Sequence, residues 1–306
     1  MFVIFCVVCD KNKEGLILEK LIKEFIYYEQ FGQQKSENTI KSYKKDLEQF
    51  LEFIKGHEIL ENINEIEELN LRGFVLYLGT INISKRSISR KLSTLRTFFK
   101  YLKENKVIDK NPIILLNNPS FVSKFPILLK KEELEQLRSV IDISKTNGIR
   151  DRLIIELLYS SGIRAGELLS LGENIVDLEA REIKIVGSSS RTVFFSMITS
   201  KYLKEYLIAK KEKYGEKYNS DIIFVNGSGT RLSDRSLRRI IDRYAKKAML
   251  KKDISPHTFR HTFGVYLLEK GMNVHFLQEL MGHTSPESTR IYEEHMIVNR
   301  RNIFEV

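Results

Sequence analysis

The sequence predicts a mainly α-helical chain in two domains. A four-helix bundle is expected over residues 15–111, and a mostly helical second domain with a small β-sheet over 128–306, joined by a linker at 112–127. Three observations carry this reading. Long segments repeat apolar residues at helical spacing. Glycine and proline, which interrupt helices, number only 16 and 5 in 306 residues. Three of those prolines, Pro112, Pro119 and Pro126, fall in one short stretch, and each disfavours helix in the residue before it. The length suits two domains, and 42% hydrophobic residues are enough to fill two cores.

In the bundle, Leu18, Leu21, Ile22, Phe25 and Ile26 mark a first helix by their i, i+3, i+4 stripe. A second begins near Glu37 and carries Ile40, Tyr43, Leu47, Phe50, Leu51 and Ile54. A third lies around 69–78, and a fourth carries Ile88, Leu92, Leu95, Phe99 and Leu102. In the second domain, helices are expected at 131–142, 148–160, 165–171, 234–249, 257–270, 273–281 and 286–292, with Gly271 stopping the fifth of these. Residues 182–186 and 192–195 read as a β-hairpin across a tight turn at 187–190, and 222–225 as a third strand ended by Asn226-Gly227.

Lysine and arginine outnumber aspartate and glutamate by 50 to 40, a net charge of +10. An excess of this kind suits a polyanionic partner, nucleic acid or an acidic membrane surface. Its distribution narrows the choice. Lys85, Arg86, Arg90, Lys91, Arg96, Lys100, Lys103 and Lys106 face a single acid in that stretch, Glu104. A second basic run extends from Arg235 to Lys252. Each run alone reads as a solvated helix face, but two in separate domains fit a protein that closes around a duplex. Cys6 and Cys9 form a lone C-x-x-C; a zinc site takes four ligands, so no metal is expected. The apolar start, residues 1–9, is too short to span a bilayer and lacks the basic leader of a signal peptide. With few cysteines and no membrane span, a cytoplasmic protein is expected.

Four short segments hold residues suited to chemistry: Ser161-Gly-Ile-Arg164-Ala-Gly-Glu167-Leu, Ser255-Pro-His257-Thr-Phe-Arg260-His261, Leu280-Met-Gly-His283 and Thr289-Arg-Ile-Tyr292. Taken singly, each has a structural explanation: a surface arginine, a helix-start histidine, a loop histidine, a core tyrosine. Together, in this order, they resemble the tyrosine recombinase (phage integrase) family, most closely its bacterial Xer-type members. The N-terminal stretch from Asn38 to Leu47 also looks like that family's DNA-binding bundle, so the resemblance covers about residue 15 to 300.

The resemblance implies a DNA-binding bundle followed by a catalytic domain, with Arg164, His257, Arg260, His283 and the nucleophile Tyr292 as catalytic residues. It implies a covalent 3′-phosphotyrosyl intermediate with no metal and no ATP, duplex DNA bearing a specific site as partner, and a homo- or hetero-tetramer on that DNA. The chemistry is consistent. Arginine matches phosphate in a planar fork, and phosphoryl transfer asks chiefly for positioning and charge stabilisation. His257 and Arg260 share a helix face, and His257 can move a proton near neutral pH. His283 can donate to the phosphate. Glu167 reads as the residue that orients Arg164 or caps its helix. Lys41, Lys44, Arg86, Arg90, Lys91, Arg96, Arg235 and Arg238 are the candidate DNA contacts.

The sequence departs from the family at the hairpin. Where a turn lysine is expected to protonate the leaving 5′-oxygen, the turn is Gly187-Ser188-Ser189-Ser190-Arg191. Serine is a poor general acid at neutral pH, and arginine no better. Lys184, Ser188 and Arg191 are the remaining candidates in this region. Two main readings follow: an active recombinase, or a DNA-binding relative with weakened or partner-dependent cleavage. A site-independent relaxing activity is a third.

Overall fold

The computed structural model describes residues 18–57, 62–120, 125–187, 190–283, 285 and 289–293. The chain divides between Ser123 and Lys124 into two compact units.

The first unit holds helices α1 (Leu18–Tyr27), α2 (Glu37–Gly56), α3 (Glu68–Thr80) and α4 (Lys85–Glu104), with a wide turn at Tyr28–Gly32 after α1. Ser36 and Ser84 start α2 and α4 by accepting the backbone N–H groups of Thr39 and Ser87 at 3.2 and 3.3 Å. Their apolar stripes meet in an aromatic core. Phe25 meets Phe98 edge-on at 5.4 Å between centroids, and Phe50 meets Phe74 likewise at 5.2 Å. Ile113 and Leu116, from the stretch expected to be linker, are buried in the same core.

A polar knot ties α2 to α4. The fully buried Asp46 accepts from Lys91 Nζ and from Thr94 Oγ1, each at 2.9 Å, and from Arg90. Arg90 also donates to Ser42 Oγ at 2.6 Å. This corrects the expectation for Lys91. Its side chain is only 5% exposed, because the unpaired Asp46 carboxylate could not be buried without a cation beside it.

The second unit opens with α5 (Lys131–Ser139), α6 (Thr146–Ser161) and α7 (Ala165–Ser170). A three-stranded antiparallel sheet follows in the order β1 (Val176–Asp177), β2 (Glu182–Ile185), β3 (Arg191–Phe194). It is followed by α8 (Met197–Tyr214), α9 (Asp234–Lys247), α10 (Pro256–Glu269), α11 (Val274–Met281) and a helical turn at 289–293. Helix α6 is the axis of this unit. Leu153, Ile154, Ile155, Leu157 and Leu158 leave it apolar almost all round, and all are buried, with α8 and α10 against it.

One expectation fails, and one helix has no counterpart in the sequence reading. Residues 222–225 are not a strand; Ile223 N–H donates to Leu171 O and Phe224 O accepts from Leu232 N–H, each at 2.9 Å, in an extended loop. The third strand is β1 instead. Helix α8 is absent from the sequence reading because its buried face is Thr199, Ser200, Leu203, Tyr206 and Lys210. Only Leu203 among them is purely apolar, so the stripe has little hydrophobic contrast. Lys210 lies inside because its Nζ donates to Asn219 O at 2.7 Å and Ile222 O at 2.5 Å and pairs with Glu173 at 3.3 Å. Among the described residues no helix is long and apolar enough to cross a membrane.

Asp46→Ala leaves Lys91 buried without its counter-charge, and the first unit is expected to lose about 3–5 kcal/mol of stability. Urea denaturation followed by circular dichroism measures this, and an unchanged midpoint would show that the knot contributes nothing net.

Candidate active site

The site is assembled at the C-terminal end of α11. A helix ends with carbonyls that have no partner within it and carry partial negative charge. Three consecutive ones here each accept a different arginine. Leu280 O accepts Arg191 Nε at 2.8 Å, Met281 O accepts Arg260, and Gly282 O accepts Arg164. Gly282 itself takes a left-handed conformation, φ +62°, which lets the chain leave α11 sharply.

Each arginine arrives on a different element. Arg164 caps α7, just beyond Gly162, which closes α6 at φ +59°. The Arg164 backbone N–H donates to Glu167 Oε2 at 2.9 Å, and its guanidinium to Glu167 Oε1 at 2.7 Å. Arg191 opens β3 and meets Glu167 in a fork, 2.8 Å to each oxygen. Arg260, on α10, also donates to Gly162 O at 2.6 Å. Burial alone would raise the Glu167 carboxyl, but the hydrogen bonds from Arg191 and Arg164 outweigh it and hold it at about 2. Burial and then Arg164 bring Arg260 down to about 10, still charged at neutral pH.

Tyr292, in the 289–293 turn, is buried, and its Oη lies 3.1 Å from His261 Nδ1. The His261 ring meets it edge-on at 5.5 Å, and the His283 ring lies 6.0 Å away. The seat exists because α10 has glycine at 264. A Cβ there would stand 2.9 Å from Tyr292 Cε2 and 3.2 Å from Met281 Sδ. Burial pushes the phenol up, partly offset by Arg260 and Arg164. His283 bonds Thr289 Oγ1 at 2.7 Å through Nδ1, one turn before the tyrosine. His257, second residue of α10, is exposed, with its ring 6.3 Å from His261.

The Phage integrase family profile matches residues 128–297, and the profile of its N-terminal SAM-like domain matches residues 22–106. The tyrosine recombinase XerC of Oceanobacillus iheyensis is 36% identical over 279 residues, 90% of this chain and 91% of that one. XerC of Bacillus subtilis is 34% identical over 282 residues, 90% and 91% of the two chains. The chain belongs to the phage integrase family of tyrosine recombinases. Among solved structures, the XerH site-specific recombinase in a post-cleavage complex with a palindromic difH substrate is 25% identical with a TM-score of 0.73, over 94% of this chain and 84% of that one. An integrase of the transposon Tn1549 with transposon right-end DNA shares the fold, with a TM-score of 0.74 at 18% identity over 90% and 94% of the two chains.

Read as a tyrosine recombinase, the chain brings Arg164, Arg260, His283 and Tyr292 to one end of α11, with His257 at the near end of α10. Arg191 joins them, donating to Glu167 and to Leu280 O, with its side chain only 7% exposed. Lys184 is not brought in. It pairs with Thr192 across the hairpin on the exposed face, whereas Arg191 pairs with Ile185 on the buried one. Ser188 lies outside the described residues, as do Cys6 and Cys9. Of the other basic candidates, Lys41 pairs with Glu37 at 2.6 Å and Lys44 with Glu48 at 3.9 Å on exposed surface. Arg86 and Arg235 are exposed, and Arg238 donates to Asp234 at 2.7 Å. Arg96 is drawn inward to Leu116 O at 2.6 Å and Asn118 at 2.8 Å. The candidate set omitted His261. The signal for it was its place four residues after His257, on the same helix face. Among the described residues no group of three or more His, Cys, Asp and Glu is placed to hold a metal ion.

His261 and His283 both fall to about 4, chiefly through burial, then through His257 and Arg260 for the first and Arg260 and Arg164 for the second. Their ordinary value is 6.5, so on acidification the unfolded chain takes up protons first. Stability is therefore expected to fall as pH drops from about 6.5 towards 4. Urea midpoints measured between pH 7.5 and 4.5 test this, and His283→Asn should flatten the slope.

Proposed function

We propose that this chain is a site-specific recombinase that cleaves and rejoins duplex DNA through a covalent 3′-phosphotyrosyl intermediate on Tyr292. The observation that carries the reading is the gathering of Arg164 and Arg260 on the last carbonyls of α11, with the buried Tyr292 close enough for both charges to offset the effect of burial on its phenol.

Three guanidiniums face one carboxylate there. Glu167 is balanced by Arg191, so the charges of Arg164 and Arg260 remain for a phosphodiester. A bound phosphate takes the place of the Gly282 and Met281 carbonyls as acceptor for these two arginines, with His257 and His283 as further donors. Tyr292 gives up its hydroxyl proton as Oη attacks phosphorus, the bond to the 5′-oxygen breaks, and that oxygen takes a proton from water and leaves as a hydroxyl. The covalent link keeps the bond energy, so attack by a 5′-hydroxyl from a second strand reverses the step without ATP. Arginine charge serves the role that a divalent metal has in many phosphoryl transfers, and the proposed chemistry is metal-independent. The partner is duplex DNA bearing a specific site, gripped by the basic faces of both units and recombined by four copies, alike or of two kinds.

A second reading, cleavage weakened or dependent on a partner, is favoured by the hairpin: Ser188 stands where the family has lysine, and Lys184 lies on the opposite face from Arg191. General acid catalysis is worth roughly 10²–10⁴-fold, so such a chain cuts slowly rather than not at all.

A duplex nicked beside the cleavage position traps the covalent species, because the small fragment diffuses away. Wild type is expected to give a protein–DNA adduct on a denaturing gel and Tyr292→Phe none. Intact DNA binding with no adduct in wild type, restored by Ser188→Lys, establishes the second reading instead. Arg191→Ala frees Glu167 to neutralise Arg164, so adduct formation should slow by on the order of 10²-fold while DNA affinity changes little. Equal rates would show that Arg191 has no positioning role.

A further inference from the structure

His261 follows Arg260 directly in the chain, yet it makes a different contact. Arg260 turns towards Gly162 O and Met281 O. His261 points Nδ1 at Tyr292 Oη, 3.1 Å away, with the ring edge-on to the phenol. One helix thus supplies both a cation for the phosphate and a nitrogen for the hydroxyl that attacks it. We propose that His261 is a catalytic residue, whose Nδ1 accepts the hydrogen bond of the Tyr292 hydroxyl and takes its proton as Oη bonds to phosphorus.

The proposal rests on the recombinase reading above. In the step, the Tyr292 O–H bond breaks and its electron pair forms the new bond to phosphorus. The bond from phosphorus to the 5′-oxygen breaks, and that oxygen takes a proton from water. The imidazolium left at His261 returns its proton to solvent or, in rejoining, to the phenolate as it departs.

The surroundings explain why a histidine can do this here. The charged and titratable groups about it are His257 and Arg260 on its own helix and Tyr292 and His283 beyond α11; Arg164, which caps α7, acts on those last two. Without DNA, burial, then His257 and Arg260, keep the imidazole neutral, so it offers a lone pair rather than a second proton. With DNA, the phosphodiester sets a negative charge between Arg164 and Arg260 and offsets them. The imidazole becomes more basic when the tyrosine has a target, and less so when it has none.

A tyrosine that must attack without a base depends on its own ionisation, and its ordinary value lies near 10. That separates a proton acceptor from a packing residue. The test uses the full chain and the nicked duplex, with DNA binding followed by mobility shift. His261→Asn retains an acceptor near the position of Nδ1 but cannot take a proton. His261→Phe removes the acceptor. Both variants are expected to bind DNA as wild type does and to form the adduct about 10²-fold more slowly at pH 7. Between pH 7 and 9 the wild-type rate should be nearly level, whereas both variants should gain close to tenfold per pH unit. If Asn at this position matches the wild-type rate, or if the variants keep the wild-type pH profile, His261 only packs against the tyrosine and the proposal falls. Should the Phe variant lose DNA binding, the Asn variant decides alone. An absence of adduct in wild type would instead overturn the recombinase reading, with which this one falls.

Discussion

Everything at the site depends on three successive carbonyls at the end of α11. A helix C-terminus is an electron-rich surface with unmet hydrogen-bonding capacity. Here Leu280, Met281 and Gly282 satisfy it with Arg191, Arg260 and Arg164, from β3, α10 and α7. Three guanidiniums would repel one another if nothing negative lay among them. The carbonyls and the Glu167 carboxylate make the arrangement tolerable, and the low acidity range of Glu167 is the reciprocal sign of that stabilisation. The cluster is therefore a locking point for the fold of the second unit as well as the centre of the proposed chemistry.

The same contacts fix where the tyrosine can stand. Gly282 turns the chain out of α11, His283 is anchored to Thr289, and Tyr292 falls back onto α10 where Gly264 leaves room. The phenol is buried with its hydroxyl on His261, and burial keeps it protonated. Under the proposed reaction, a tyrosine that is a poor nucleophile in the absence of substrate is useful, since unprompted attack on DNA would be harmful. The arginines that the proposed reaction uses are bonded to the backbone oxygens of Gly282 and Met281.

The first unit follows a different logic. Its basic helix α4 does not simply present a row of cations. Lys91 is spent on Asp46 in the interior, and Arg96 is drawn to Leu116 O, while Arg90 keeps one side on Asp46 and Ser42 and the other in solvent. A basic sequence run thus divides into cations that hold helices together and cations left at the surface. Counting lysines and arginines cannot make that division, because it depends on which carboxylate a partner helix brings alongside.

The sequence by itself determined the helical class, the recombinase family and the four segments proposed for the site, because apolar stripes and short motifs are local properties. It also placed Glu167 with Arg164, three residues away on one helical turn. Helix α8 escaped it, since Lys210, Thr199 and Ser200 are buried through bonds to distant partners and blur the stripe. So did the fate of 222–225, whose backbone bonds go to Leu171 and Leu232 rather than to a sheet. Only the tertiary structure joined Arg191 to Glu167, turned Lys184 to the outer face and set His261 against Tyr292. Each of these joins residues 24 or more apart in sequence, or depends on which face of a strand is buried. Such facts belong to packing, not to the spacing of letters along a chain.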